Sequence, residues 1–327
     1  MNKIFTSCAA LLFSTVAFAQ LNGNGYYRVQ NTNTLRYIRV IDNYGKINVT
    51  STTADMGALK TTKGFENIVS DPSSVIYFRQ YDDSYDLRSQ GTGLWEIISH
   101  LVKIWDNGDN TYRAYASQSG VTMYLNDEVS RRTDGVVGTN DASARNWYIT
   151  PVTLEDNQYF GIKPDITVGN SHYKSFMASF PYSFASGGMT AYYVSAVDKE
   201  KGVAIYKEVG SRVPEGTPTF IKCSSTEPAN NKLNLMSWSE TALTDNLLTG
   251  VYFCNPNAGP LHTNVVNYDA GTMRVLGTTA DGLPAMVTDG SLQYIPSNSC
   301  YLAVPEGTPA ELRLVSDMEY KIGRAHV

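Results

Sequence analysis

The sequence predicts an all-β protein, and three observations carry that prediction. After residue 20 apolar residues do not recur at helical spacing, short β-branched and aromatic runs alternate with Gly, Asn, Asp and Pro, and 22 tyrosines dominate an aromatic share of 11%. With 327 residues, 42% of them hydrophobic and 17% charged, the chain has apolar material for two domain cores and lacks the charge density of disorder. The formal net charge of −5 argues against nucleic acid as a partner, since no basic footprint is available for phosphates.

Residues 1–19, MNKIFTSCAALLFSTVAFA, place Lys3 ahead of a short apolar run and end in small residues at Ala17 and Ala19. This is the pattern of a secretory signal cleaved before Gln20, and Cys8 falls too early in it to be a lipoprotein cysteine. No later segment reaches the ~20 apolar residues of a membrane span. The expected product is secreted or held at the cell surface. At the other end IGRAHV, residues 322–327, matches one reading frame of a sequencing adapter, so these residues are expected not to be natural protein. Arg324 and His326 therefore enter no site argument.

Taken in order, strands are expected at 26–31, 36–42, 75–81, 85–90, 94–106, 111–117, 121–127 and 146–152, each rich in Tyr, Val, Ile or Trp. TTADMGALKT at 52–61 is the best helix candidate, short and carrying Gly57. YDDSYD at 81–86 reads as a solvated turn, so Asp82, Asp83 and Asp86 are not taken as a catalytic carboxylate pair. DNGDNT at 106–111 reads as a hairpin turn in place of a calcium loop.

Within 21–153 one pattern occurs three times: a Tyr-rich strand, a second strand after a turn, and an aromatic strand that closes the unit. Tyr27-Arg28 matches Tyr112-Arg113, Tyr37-Ile38 matches Tyr124-Leu125, SVIYFRQ closes the first unit and NWYITPV the third, with SYDLRSQGTGLWEI supplying a less regular middle. Three four-strand units in this length have the rhythm of a β-trefoil. At these residues the chain resembles the ricin-B-type β-trefoil family. That resemblance implies a domain over 20–153 with shallow sugar sites, up to one per repeat. Such sites commonly use an Asp on the second strand, an aromatic platform, and an Asn or Gln near a Gln-x-Trp closure. Here Arg39 and Asn126 occupy the Asp position in the first and third repeats, and the closure reads Arg145-Asn146-Trp147. Trp147 is expected in the core. The carbohydrate-binding candidates are the turn residues after second strands: Asp42, Asn43 and Tyr44 in the first repeat, Asn126 and Asp127 in the third, and Gln90 in the middle one. Each also has a plain role available, satisfying the backbone of its own turn.

Residues 154–321 continue in strands, and VPEGTP occurs twice, at Val213–Pro218 and Val304–Pro309. Two prolines and a permissive glycine fix a turn, so the repeat implies duplicated hairpin geometry. Two similar sandwich-like β subunits, 154–240 and 241–321, are expected, either separate or merged into one larger sandwich. FPYSF, MTAYYVSAV, VPEGTP and MRVLG are also similar to a module of uncharacterised secreted proteins from gut and oral anaerobic bacteria. This second resemblance implies an extracellular accessory region and carries no activity.

Chemistry is marked mainly by missing motifs. The sequence holds no GxSxG, HExxH, phosphate-binding glycine loop, dinucleotide fingerprint or EF-hand loop. Cys223, Cys254 and Cys300 form no CxxC pair and sit in strand-like company, and the histidines before the tail are His100, His172 and His262. The expectation is a carbohydrate-binding protein that is not an enzyme, contacts a glycan or glycoprotein and uses no cofactor. The alternatives are the non-catalytic part of a truncated glycoside hydrolase or other secreted enzyme, and a protein-binding or structural trefoil such as a protease inhibitor.

Overall fold

The computed structural model describes residues 21, 23–42, 59–93, 97, 101–118, 120–127, 137–139, 146–237, 243–256 and 264–325. Among these the protein is all-β, with one α-helix near the end. The N-terminal unit contains β1 (Gly25–Asn31), β2 (Arg36–Val40), β3 (Leu59–Lys63), β4 (Ile76–Tyr81), β5 (Ser84–Ser89), β6 (Lys103–Asp106), β7 (Tyr112–Gln118), β8 (Val121–Asn126), β9 (Val137–Thr139) and β10 (Asn146–Pro151). All of these ladders are antiparallel: β1 pairs with β10 and β4, β4 with β5, β6 with β7, and β7 with β10. Tyr85 and Val102 exchange backbone hydrogen bonds of 2.8 and 2.7 Å, which joins β5 to the residue ahead of β6. The strands β1-β4-β5-β6-β7-β10 therefore close into a ring, and the hairpins β2–β3 and β8–β9 extend from it.

Period-two alternation decides which side chains fill this ring. Val29, Ile76, Phe78, Leu87, Ala114, Trp147 and Ile149 point inward and are buried together. Trp147 is fully buried, as expected of a closing aromatic, and its Nε1 donates to Leu125 O at 3.0 Å. The DNGDNT turn is the expected hairpin between β6 and β7. Asp106 Oδ1 accepts from Gly108 N and Asp109 Oδ1 from Thr111 N, at 2.8 and 3.1 Å. YDDSYD turns at Asp82 and Asp83, but Asp86 is buried and shared between Arg79 and Arg88 at 2.6 and 2.7 Å. Of the long strand expected over 94–106, β6 and the bridge at Val102 are seen, and 94–96 and 98–100 lie outside the described residues. In place of the helix proposed for 52–61, Leu59–Lys63 pairs with β2, and 52–58 lie outside the described residues.

The second unit contains β11 (Phe160–Gly161), β12 (Ile166–Val168), β13 (Ser171–Phe176), β14 (Tyr182–Phe184), β15 (Thr190–Asp198), β16 (Val203–Glu208), β17 (Arg212–Val213) and β18 (Thr219–Cys223). It continues with β19 (Lys232–Leu235), β20 (Leu248–Val251), β21 (Met273–Thr278), β22 (Pro284–Val287), β23 (Ser299–Ala303) and β24 (Glu311–Ser316), then α1 (Asp317–Ala325). One ten-strand path runs β12-β13-β18-β15-β16-β24-β22-β21-β23-β20, and a four-strand sheet runs β11-β19-β14-β17. Strands from 154–240 and 241–321 thus share one sheet, joined by the parallel pairing of β16 with β24. Both sheets contribute to one core, in which Phe160, Phe176, Phe180 and Tyr182 meet mostly edge to face at 5.3–6.5 Å.

VPEGTP makes the same turn twice, with Gly216 and Gly307 at φ 69 and 78, a backbone conformation only glycine enters freely. The expected hairpins do not follow from it. Strand β17 belongs to the small sheet and β18 to the large one, while β22 and β21 lie between β24 and β23. Strand β24 stops at Ser316, whose Oγ accepts from Glu319 N at 3.1 Å and caps α1. Tyr320 OH then donates to Asp198 Oδ2 at 2.6 Å and fastens the helix to β15.

The outer face of β1 and the residues around β4 dock onto the second unit. Tyr26 OH donates to Met236 O at 2.9 Å, and Val75 joins the second unit's core. Arg28 is buried and donates to Tyr159 O at 2.9 Å and Gln158 O at 3.2 Å, and that burial pulls its guanidinium down to about 10. Gly91 passes so close that an added Cβ would stand 2.2 Å from Ser179 O.

Candidate functional site

Docking of the two units opens a cleft of about 580 Å³ between them. Its N-terminal wall is Arg39 on β2, Glu66, Asn67 and the turn Ser70–Pro72. Its C-terminal wall is Lys163, Asp165, Lys174 and Phe176, with Ser297 and Asn298. The charged groups are held in place by their own elements. Asp71 accepts from Ser73 N at 2.9 Å and so caps the 3₁₀ turn Pro72–Ser74, while its other oxygen takes Arg39 Nε at 2.5 Å. Asp165 precedes the β12–β13 hairpin and accepts from Ser175 N at 3.0 Å and Lys174 Nζ at 2.6 Å.

A second groove of about 460 Å³ shares Glu66 and Lys163 with the first and adds Phe65 and Tyr159. These rings meet edge to face at 5.4 Å. Arg28 lies 5.3 Å from the Phe65 centroid and Lys232 4.6 Å from that of Tyr159. The arrangement presents oriented acceptors and donors, no excess of either charge, and two partly exposed aromatic rings. Among the described residues no group of three or more His, Cys, Asp or Glu is placed to hold a metal, and no helix is long and apolar enough to cross a membrane.

The residues singled out from the sequence fall elsewhere. Asp42 is fully buried and accepts from Asn264 Nδ2 at 2.5 Å. Gln90 is fully buried at φ 61, and its Oε1 accepts from Asn298 Nδ2 at 3.0 Å and Ser179 N at 3.3 Å, behind the cleft. Asn126 is buried on the last position of β8. Asp127 is fully buried, takes Arg36 Nε at 2.9 Å, and holds Arg36 Nη2 and Thr34 Oγ1 as well. All four are buried, and internal partners take Asp42, Gln90 Oε1 and Asp127 at the positions that turn chemistry suggested for a ligand. Asn43 and Tyr44 lie outside the described residues.

Arg39, noted in the sequence only as a departure from the family's usual Asp, proves to line the cleft. Glu66, Asp71, Lys163, Asp165 and Lys174 had no motif to announce them. The cysteines behave as strand residues: Cys223 and Cys300 are buried free thiols, pushed up to about 12 and about 11 by that burial, and Cys254 is partly exposed. His172 Nδ1 lies 2.9 Å from Thr167 Oγ1 across the β12–β13 hairpin, and His100 and His262 are outside the described residues. Compared with known protein families, with curated proteins and with solved structures, the chain finds no match.

Proposed function

We propose that this is a secreted or surface-displayed carbohydrate-binding protein that is not an enzyme. In this reading the N-terminal unit is a β-trefoil of the ricin-B lectin type, and the sugar sits in the cleft between the units. The observation that carries the reading is the cleft's charge balance, with Arg39, Lys163 and Lys174 set against Glu66, Asp71 and Asp165. A neutral polyol needs fixed donors and acceptors and no net field, which paired side chains provide. A polyanion would call for surplus cations, and an apolar ligand for apolar walls. Phe65 and Tyr159 in the adjoining groove offer ring surface for the apolar face of a second sugar unit.

The trefoil reading is supported by the closed six-strand ring and by hairpins at the positions where first and third repeats require them. The non-enzymatic reading is supported by Asp71 and Asp165, whose oxygens are already engaged by Arg39, Lys174 and backbone amides. A glycan array probed with the whole chain tests the proposal. Glu66→Ala/Lys163→Ala alters two exposed side chains shared by both grooves and should lower specific binding at least tenfold with an unchanged circular dichroism spectrum. Silence of the unmodified chain across neutral glycans overturns the reading. Full binding by the double variant removes the cleft from it, and Tyr44→Ala tests the segment after β2 in the same way.

A further inference from the structure

We propose a second carbohydrate platform on the outer face of β6, β7, β8 and β10, built around Trp105 and suited to a neutral pyranose chain. The proposal shares its ligand class with the reading above and rests on it to that extent, but it uses a different face of the molecule. The N-terminal ring has two kinds of outer surface. Around β1 and β4 it is covered by the second unit, whereas Trp105 on β6 is 59% exposed and Tyr148 on β10 is 37% exposed. Their inward neighbours Ala114, Trp147 and Ile149 fill the core, so the register that builds the core also places these two rings outside.

The ladders fix what stands beside them. Trp105 is opposite Arg113, which is opposite Asn146, making one cross-strand row. Lys103 is opposite Tyr115, which is opposite Tyr124, making the next. Directly opposed residues lie about 4.5–5.5 Å apart and diagonal ones about 7–8 Å, so Trp105 and Tyr115 are within reach of one bound chain. Tyr115 and Tyr124 have ring centroids 5.6 Å apart. Arg113 Nε donates to Asn146 Oδ1 at 3.2 Å, which sets a guanidinium and an amide beside the indole. Trp105 stands largely in solvent on a regular strand and forgoes the burial that its inward neighbours gain.

The occupant follows from composition and charge. Each ring in the array has a polar neighbour in the same row or along the strand, so among the described residues this face carries no broad apolar patch for a protein partner. Lys103 is paired with Asp83 at 2.7 Å, Arg113 donates to Asn146, and the adjoining turn carries Asp106 and Asp109, so among the described residues this face has no surplus of cations for an acidic glycan or a nucleic acid. A pyranose laid on Trp105 buries its C–H face on the indole while Arg113 and Asn146 meet its hydroxyls.

The test uses the whole chain and its Trp105→Ala, Trp105→Phe and Glu66→Ala/Lys163→Ala variants, each titrated with neutral hexasaccharides of glucose, mannose, galactose and xylose. Binding is followed by calorimetry and by intrinsic fluorescence. Trp105→Ala should weaken binding of at least one hexasaccharide tenfold or more with an unchanged melting temperature, and Trp105→Phe should restore part of it. Loss in the Glu66/Lys163 variant alone overturns the platform and leaves the cleft standing. Loss in Trp105→Ala alone supports the platform and removes the cleft. No binding by the unmodified chain overturns both.

Discussion

Asp127 offers the sharpest test of how the N-terminal unit is built, because it was legible as a ligand contact and is found as an internal partner. Its side chain is fully buried, and that of Arg36 is only 8% exposed. The carboxylate receives two nitrogens of Arg36 and the Thr34 hydroxyl, with Thr61 Oγ1 at 3.5 Å. Asp127→Ala takes from a buried guanidinium the carboxylate that receives two of its nitrogens, a change that costs about 3–5 kcal/mol in such pairs. Against a total stability of about 5–15 kcal/mol that is a large fraction. At an m-value near 3 kcal/mol/M it moves the urea midpoint down by roughly 1–1.7 M. Asp127→Asn keeps the shape but loses the charge and turns a donor toward donors, so it should recover little. Arg36→Met/Asp127→Leu removes both charges and should be less destabilised than Asp127→Ala alone. Urea unfolding of the whole chain, followed by circular dichroism, measures all three. An unfolding free energy for Asp127→Ala within about 0.5 kcal/mol of the parent, together with lost glycan binding, would refute the internal role and return Asp127 to the ligand site.

Three further outcomes follow from the geometry. Gly91→Ala places a Cβ against Ser179 O at the junction and should cost about 1–3 kcal/mol by overpacking, read as a lower calorimetric transition; an unchanged transition would show that the junction yields. Of the three cysteines after residue 20, Cys254 should react first with a disulfide reagent at pH 8. Cys223 and Cys300, raised to about 12 and about 11 by burial, should wait for unfolding, and rapid labelling of all three would contradict their burial. Hydrogen bonds from Lys103, Tyr320 and Lys207 hold Asp83, Asp198 and Asp245 below the ordinary carboxylate value of 3.8. The folded chain then binds fewer protons than the unfolded one in acid, so their stabilisation is present above that value and lost as pH falls through the folded ones. A urea midpoint that stays level from pH 6 to pH 2 would contradict this.

What the sequence disclosed was local. Alternation in GYYRVQN and NWYITP marks Val29, Trp147 and Ile149 as inward, and DNGDNT declares its own hairpin, because the physics of each acts within a few residues. Pairings at long range left no such mark. Arg36 and Asp127 are 91 residues apart, and each alone reads as a turn or strand-end polar residue. The cleft is harder still, since Asp71 and Asp165 acquire meaning only when two units dock. VPEGTP announced its turn correctly and its partner strands wrongly. A turn fixes the direction in which the chain leaves, and the strands that leave the two turns find different neighbours, β18 between β13 and β15 and β24 between β16 and β22.

Strand β24 enters the large sheet between β16 and β22, and β10 closes the ring against β1. In each unit, then, the keystone strand comes late in the unit's own sequence. Until residues 311–316 arrive, the large sheet is two separate pieces with bare edges on β16 and β22, competent to pair with other chains. A nascent or nicked polypeptide stopping short of β24 should therefore be an aggregation hazard and a protease substrate. The time spent in that open condition, set by closure of contacts far apart in sequence, should govern the yield of folded protein more than its final stability does.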